Sequence, residues 1–358
     1  MSGEGSLFFR DVVEPLADSF EPAAVDEYVR VFTEAVGRPE LRERYEIVRR
    51  PRAFEGPEPT DVFVLSRVTL GADVAITSTV LDAMVRRFPH ARVWFVGPRK
   101  NYELFEASEA VGHLDLKYLR TGTLAERMAA SVQLSRLVDR DDAIVVDPDS
   151  RLTQLGLVPV CDPSRYYFFE SRSQSAPGSL VELTAAWLGA TFGVTDARPF
   201  LAAQPPATDE FPKITVSLGV GENPAKRVAD PFERRLLELL AASGRSIVID
   251  EGAGGEETAR VHKAIEGLPN VRTWRGAFAP FAALIAKSGL YIGYDSAGQH
   301  VAAACGVPLI TVFAGFPNDR FVERWRPTGA GRIDVILVDH ADPAPVIDQV
   351  ARLIDPRP

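Results

Sequence analysis

From Asp61 onward, short apolar runs alternate with stretches whose apolar residues recur at helical spacing. "DVFVLSRV", "ARVWFVG", Ala143–Val146 and "RYYFFES" read as strands. "DVAITSTVLDAMVRRF", Leu124–Val138 and "SLVELTAAWLGATFG" read as helices. Strands alternating with helices predict βαβ units and a parallel sheet. The pattern breaks at "ARPFLAAQPPATDEFP", which carries four prolines and little periodicity and reads as a linker. It then resumes with the strands "KITVSLGV", "RSIVIDEG", "VRTWRG", "LYIGYD", "PLITVFAG" and "IDVILVD". The helices between them begin near Asp230, Gly255, Phe278 and Ser296, and "PAPVIDQVARLID" closes the chain. Asp230-Pro231-Phe232-Glu233 reads as a helix start, with an Asp cap, Pro at the first position and Glu at the third.

The expected architecture is α/β, with two Rossmann-like, doubly wound domains, 59–200 and 206–358. They are preceded by a helical extension over residues 1–58. Two such domains imply a cleft between the carboxyl ends of their strands, where open sheets of this kind bind ligands. In the extension, "PAAVDEYVRVFTEAVG" places Val25, Tyr28, Val29, Phe32 and Val36 near one helical face. That face must dock on the body of the protein, on a partner protein or on a second copy.

Composition narrows the function classes. The 358 residues suit two domains. A net charge of −9, from 40 basic and 49 acidic residues, argues against a general nucleic-acid or anionic-membrane binder, though not against a small phosphate site. No apolar run approaches the ~20 residues of a membrane helix. The opening MSGEGSLFFRD lacks the basic and apolar regions of a secretory signal. A cytoplasmic protein is expected, with peripheral association with the inner membrane face left open. Cys161 and Cys305 lack metal-ligand spacing and read as buried free thiols.

The stretch "YIGYDSAGQHVAAACGVPLITVFAG" holds the main candidate chemistry. A strand ending at Asp295 feeds a helix, and the unpaired amides of that helix's first turn make an anion site. Ser296, Ala297 and Gly298 are small enough for a phosphate to approach the backbone, and Ser296 adds a hydroxyl. His300, one turn after Ser296, is placed to donate to a phosphate oxygen. Asp295 is placed to orient His300 or to cap the helix. The plainer reading of the same residues is an N-cap followed by a partly buried histidine.

"YDSAGQHVAAACGVPLITVFAG" resembles the D-[ST]-G-x-x-H-L-x-A-A-x-G-x-P signature of glycosyltransferase family nine, the heptosyltransferases that use ADP-heptose. "RVTLGADVAITSTVLDAMVRRFPHARVWFVG" resembles the family's R-x-S-x-G-D-V-x-x-T-x-P-x-L stretch. "GENPAKRVADPFERRLLELLAASG" is similar to its K-R-W-P-x-x-x-F segment, and "EGAGGEETARV" to its G-x-x-x-E-x loop. Order and spacing agree from Asp61 to about Phe316. The chain departs from these patterns at Ala72, an insertion between Gly71 and Asp73, and at Thr79, Val228 and Ala297.

The resemblance implies a GT-B fold, with the acceptor on the N-terminal domain and the nucleotide sugar on the C-terminal one. It implies inverting, metal-independent transfer of a sugar, with heptose as the family's own, from a nucleoside diphosphate to an acceptor hydroxyl. An ADP-linked donor is expected, with no further cofactor. The acceptor stays open among a glycan, a lipid-linked glycan, a small molecule and a protein. Asp73 would be the general base, since inversion needs a proton acceptor facing the nucleophilic hydroxyl; as the alternative it caps the helix beginning at Val74. Lys226, with Arg227 as understudy, would neutralise the leaving diphosphate, and Glu256 would accept from ribose hydroxyls. Asp295, Ser296, Gly298 and His300 would complete the nucleotide-sugar site. Arg67, at the end of the first strand, would meet acceptor or phosphate; a surface arginine is the plainer reading. Arg320, Arg324 and Arg326 read as a solvated helix face. His90, His113, His262 and His340 show no partner pattern. No metal-ligand cluster is evident, and the Asp-x-Asp at Asp147–Asp149 lies in the wrong half. Two rival functions are a nucleotide-sugar epimerase, which needs no acceptor, and a non-catalytic binding module on the same scaffold.

Overall fold

The structure is a computed structural model that describes residues 12–119, 122–208, 210–221, 223–339 and 342–354. The first eleven residues of the extension and His340 lie outside the described residues. The chain divides into two compact units, Met1–Phe200 and Leu201–Pro358.

In the first unit, five parallel strands stand in the order β3-β2-β1-β4-β5: β1 Asp61–Leu65, β2 Arg92–Gly97, β3 Val111–Asp115, β4 Ala143–Asp147 and β5 Tyr166–Phe168. Every residue of β1 and β4 is buried, as expected for central strands covered on both faces. Strand β3 escapes the sequence reading because "VGHLD" is short, interrupted by Gly112 and His113, and lies on the sheet edge.

Among the described residues, three helices precede β1: α1 Glu14–Asp18, α2 Pro22–Ala35 and α3 Glu40–Val48. The predicted face of α2 packs on the first unit itself. Tyr28, Val29 and Phe32 share one core with Phe63, Leu65, Val145 and Phe168. Each such side chain is worth roughly 1.5–3 kcal/mol when fully buried, which fastens the segment to its sheet. Arg44 adds a bond to the Gly156 carbonyl at 2.6 Å, and Arg49 one to Ser173 Oγ at 2.9 Å.

The longer helices that follow in this unit are α4 Ser78–Arg87, α5 Leu124–Val138 and α6 Leu180–Phe192, with one further turn at Arg99–Tyr102. Both α5 and α6 begin in complete capping boxes, Thr123 with Glu126 and Ser179 with Glu182. Helix α4 is entered through one turn at Leu70–Ala72 and a π-helical segment, Asp73–Thr77.

In the second unit, six parallel strands run β11-β10-β9-β6-β7-β8: β6 Ile214–Ser217, β7 Ile247–Asp250, β8 Val271–Trp274, β9 Leu290–Tyr294, β10 Leu309–Ala314 and β11 Ile333–Val338. Its helices are α7 Phe232–Ala242, α8 Gly255–Ile265, α9 Phe278–Lys287, α10 Ala297–Ala304, α11 Asp319–Trp325 and α12 Ala344–Ile354. Helix α7 lacks the foreseen cap: Pro231 holds the N-cap position with no side-chain bond. Glu233 instead takes Arg227 Nε at 3.0 Å, Arg260 Nη1 at 2.9 Å and Tyr294 Oη at 3.2 Å. Helix α11 carries the arginine run read as solvated, yet the Arg324 side chain is 0% exposed. No helix among the described residues is long and apolar enough to cross a membrane.

Each sheet reverses its strand order once, between β1 and β4 in the first unit and between β6 and β9 in the second. The loops after those strands are where an open α/β sheet offers a crevice.

Candidate functional site

In the second unit the residues singled out after β9 converge with the Lys226 turn. Lys226 Nζ lies 2.6 Å from Asp295 Oδ2, and its ammonium stands 5.3 Å from the centre of the Phe321 ring. Gly315 makes this approach feasible. It sits at φ 58°, and a Cβ there would come within 2.1 Å of the Ala225 carbonyl, so any side chain would push the Lys226 turn away. The other Asp295 oxygen accepts from Gln299 Nε2 at 2.6 Å, and Gln299 Oε1 accepts from Thr311 at 2.7 Å. Asp295 therefore steadies Lys226 and Gln299; its carboxylate does not cap α10.

Ser296 has the extended backbone of an N-cap but makes no capping bond; its hydroxyl lies 3.4 Å from Tyr291 Oη. The first amides of α10 have no intrahelical acceptor, as at every helix start. Gly298 packs against the Tyr291 ring, where a Cβ would come within 2.3 Å of the phenol oxygen. A helix start with small residues, an uncapping hydroxyl and an adjacent ammonium favours an anion.

His300 is 5% exposed and its ring centre is 5.7 Å from that of Trp325. Burial, with a smaller contribution from Lys226, pulls its pKa down to about 4 against the opposing pull of Asp295, so the imidazole is neutral at pH 7. Its Nε2 is 3.4 Å from Gln299 Nε2. The side chain foreseen as a direct phosphate donor thus lies beneath the helix start.

Glu256 is exposed on the first turn of α8. Its neighbour Glu257 folds inward, accepts from the Ala253 amide at 3.1 Å and lies against Gly219 and Gly252. Beside them is an open groove of about 610 Å³ lined by Glu251 to Gly255, Thr258, His262, Arg275 and Gly276. It follows the carboxyl ends of β7 and β8.

The first unit looks different. Asp73 is 0% exposed, and both its oxygens are occupied. Oδ1 accepts from the Arg67 amide at 2.7 Å and Thr77 Oγ1 at 2.6 Å; Oδ2 accepts from Ser66 Oγ at 2.7 Å and Asn101 Nδ2 at 2.6 Å. Burial raises its pKa, while these four donors lower it. The expectation of a carboxylate open toward an acceptor hydroxyl is not met. The physical reason is local: Asp73 follows Ala72 directly and opens a π-helical segment, Asp73–Thr77, whose five residues are all buried. Nor is Asp73 a cap of the helix at Val74, since it is itself helical.

Arg67 is equally enclosed, at 4% exposure, rather than on the surface. Burial and nearby Arg172 pull its pKa down to about 10. Its Nη1 donates to Ser171 Oγ at 2.9 Å. Asp149, Arg151 and Arg172 surround it on the loops after β4 and β5, with Glu14 and Asp18 of α1. Sequence reading missed this assembly, because its bonded members lie up to 154 residues apart. Among the described residues no group of three or more His, Cys, Asp or Glu is arranged to hold a metal ion. Both cysteines are free; Cys161 is buried, but Cys305 is only partly so.

Residues 196–341 match the model of glycosyltransferase family 9 (heptosyltransferase). The chain is 33% identical over 118 residues to Lipopolysaccharide heptosyltransferase 3 of Escherichia coli, an alignment covering 32% of this chain and 33% of that protein. The chain thus matches about a third of the length of this curated relative. In fold it is similar to the E. coli heptosyltransferase WaaC with ADP, at 17% identity and TM-score 0.62, over 82% of this chain and 98% of WaaC. It is also similar to the E. coli ADP-heptose lps heptosyltransferase II, at 18% identity and TM-score 0.58, over 82% and 98% of the respective chains. A family 9 glycosyltransferase from Veillonella parvula matches at 19% identity and TM-score 0.58, over 83% and 90%. The two parallel α/β units are those of the GT-B fold seen in these heptosyltransferases, and the sequence is heptosyltransferase-like over the second unit.

Proposed function

We propose that this chain, which carries a glycosyltransferase family 9 domain over residues 196–341, moves a sugar from a nucleoside diphosphate to an acceptor hydroxyl. The observation that carries the reading is the pairing of that domain with the Lys226–Asp295 helix start at the switch point of the second sheet. The structures of relatives bound to ADP and to ADP-2-deoxy-2-fluoro heptose favour an ADP-linked, heptose-type donor.

In this reading the diphosphate lies on the first amides of α10, with Ser296 and Gly298 giving it room and Lys226 turning from Asp295 toward it. Positive charge at the leaving diphosphate lowers the barrier to sugar transfer, and Lys226 with the helix amides supplies it without a divalent cation. The groove beside Gly252–Gly255 receives the nucleoside, and Glu256 at its rim accepts from the ribose. Asp295 and Gln299 hold Lys226 in place, and His300 supports that set from below as a neutral ring. Transfer inverts the anomeric centre: the acceptor oxygen forms the new bond as the bond to the diphosphate breaks, and the hydroxyl proton passes to solvent water. Asp73 serves as a positioning residue that holds Ser66 and Arg67, because its own acceptor positions are filled.

The test is hydrolysis and transfer from ADP-heptose by the full chain, with and without a mixed glycan acceptor extract. Acceptor-dependent release of ADP that survives excess EDTA is expected. Epimerisation of the donor without acceptor would replace the transferase reading by a nucleotide-sugar epimerase. Loss of turnover in EDTA with recovery in magnesium would overturn the role given to Lys226.

A further inference from the structure

We infer that the loops after β1, β4 and β5 of the first unit form an oxyanion site that the chain's own Asp18 occupies, and that its outside ligand is a phosphate monoester group. This does not depend on sugar transfer.

Three guanidiniums meet at the crevice where the first sheet reverses its strand order. Arg67 follows β1, Arg151 follows β4 and Arg172 follows β5; they are 4%, 6% and 4% exposed. Burying like charges together is costly unless anions lie between them. Two kinds of anion do so here. Glu14, whose side chain is 7% exposed, bridges Arg127 and Arg151 from inside. Asp149 accepts from Ser171 Oγ at 2.6 Å and pairs with Arg172 Nε at 3.2 Å. Both are built into the core.

Asp18 differs from them. Its side chain is 47% exposed, yet Arg151 Nη2 reaches both its oxygens at 2.9 Å, and Arg172 Nη1 donates to one at 2.8 Å. Its negative charge also bears on Arg67. A solvent-reached carboxylate held by guanidiniums in a strand-end crevice has the stereochemistry of a bound oxyanion. Guanidiniums that hold a carboxylate in this way also take a phosphate monoester, with its two charges and three acceptor oxygens.

The crevice also has the mark of a functional loop set. Val68 at φ 61°, Asp149 at φ 69°, Gln154 at φ 51° and Leu155 at φ 58° all hold left-handed backbone without being glycine. Such strain is kept where surrounding structure over-determines it, commonly at binding sites. Asp73 fixes one side of the set through the Arg67 amide.

The test uses the full-length chain and Asp18→Asn, which keeps the shape and removes the charge. Inorganic phosphate is titrated calorimetrically, with sodium chloride at matched ionic strength as control. Asp18→Asn is expected to bind phosphate at least tenfold more tightly than the parent, and the gain should persist in a Lys226→Ala background, which excludes the second unit as its source. Thermal melts give the second readout: phosphate should restore to Asp18→Asn the melting temperature lost with the carboxylate, and shift the parent little. Glycerol 3-phosphate forms a parallel arm. Binding tighter than inorganic phosphate marks an organic monoester as the ligand; weaker binding marks free phosphate, and the phosphate-monoester assignment falls. A folded Asp18→Asn chain whose phosphate affinity stays within twofold of the parent, and whose melt phosphate does not restore, would overturn the site altogether.

Discussion

Where β1 of the first unit ends, a valine is held at φ 61°, and a carboxylate beyond it is bound by four donors. Where β7 and β9 of the second unit end, the turns are made by Gly252, Gly254, Gly255 and small residues, and the serine at the helix start makes no capping bond. Both places are carboxyl ends of parallel strands near a reversal of strand order, so topology alone would make them equivalent. The side chains make them opposites. The first crevice is filled by the protein's own acids and hydroxyls, and its backbone is locked by them. The second leaves the first amides of α10 without a side-chain cap beside one ammonium, Lys226, which pairs with Asp295. A shared architecture can thus present one crevice open to a ligand and another occupied by the protein's own side chains, and which is which is decided by a few residues per loop.

The largest expected effect breaks the locked side. Asp73→Ala would leave the Arg67 amide, Ser66, Thr77 and Asn101 without their shared acceptor. Buried polar groups without partners cost roughly 1–3 kcal/mol each before water or rearrangement relieves them, so a net loss of roughly 3–5 kcal/mol is expected. Urea unfolding measures it. A loss under ~1 kcal/mol would show that the first crevice is not held by this carboxylate.

A slightly smaller effect concerns His300. Its pKa of about 4 in the folded protein lies below the ordinary 6.5, so the unfolded chain binds the proton more readily between those values. The stability tied to the neutral ring is complete above pH 6.5 and is lost as pH falls through about 4. With a shift of that size the loss is roughly 3 kcal/mol. His300→Gln should flatten the fall in stability between pH 6.5 and 4 relative to the parent. Parallel curves would mean that the ring reaches solvent.

How much of this was legible beforehand depends on sequence distance. The strand and helix through Asp295 to Ala304 form a contiguous pattern and could be read directly, as could α5 and α6 from the spacing of their apolar residues. The pairing of Lys226 with Asp295 spans 69 residues; only the family resemblance put both in one site, and neither residue's spacing did. Arg151 and Asp18, 133 residues apart, carry no local signal at all. Glu256 and Glu257 are adjacent in the chain, and only the fold shows which one turns inward. Ala72 was visible as an insertion, but the π-helical segment that follows it and the four donors around Asp73 were not. Arg324 was misread because a charged residue on a short helix is usually solvated.

The smallest effect sharpens the open side. Glu256 is exposed, and a single hydrogen bond to a ribose hydroxyl is worth about 0.5–1.5 kcal/mol. Glu256→Ala should therefore weaken ADP binding by roughly two- to tenfold without changing the melting temperature. A fall beyond roughly a hundredfold would assign it a larger part than one such bond.

The central contrast, that the diphosphate belongs to the second crevice and not the first, is tested most directly by calorimetric titration of ADP into three full-length proteins: the parent, Lys226→Ala and Asp73→Asn. Loss of a charge-assisted bond of about 1.5–3 kcal/mol predicts that Lys226→Ala weakens ADP binding by roughly ten- to a hundredfold, while folded Asp73→Asn stays within about twofold of the parent. Unchanged affinity in Lys226→Ala, or an equal loss in Asp73→Asn, would contradict the account.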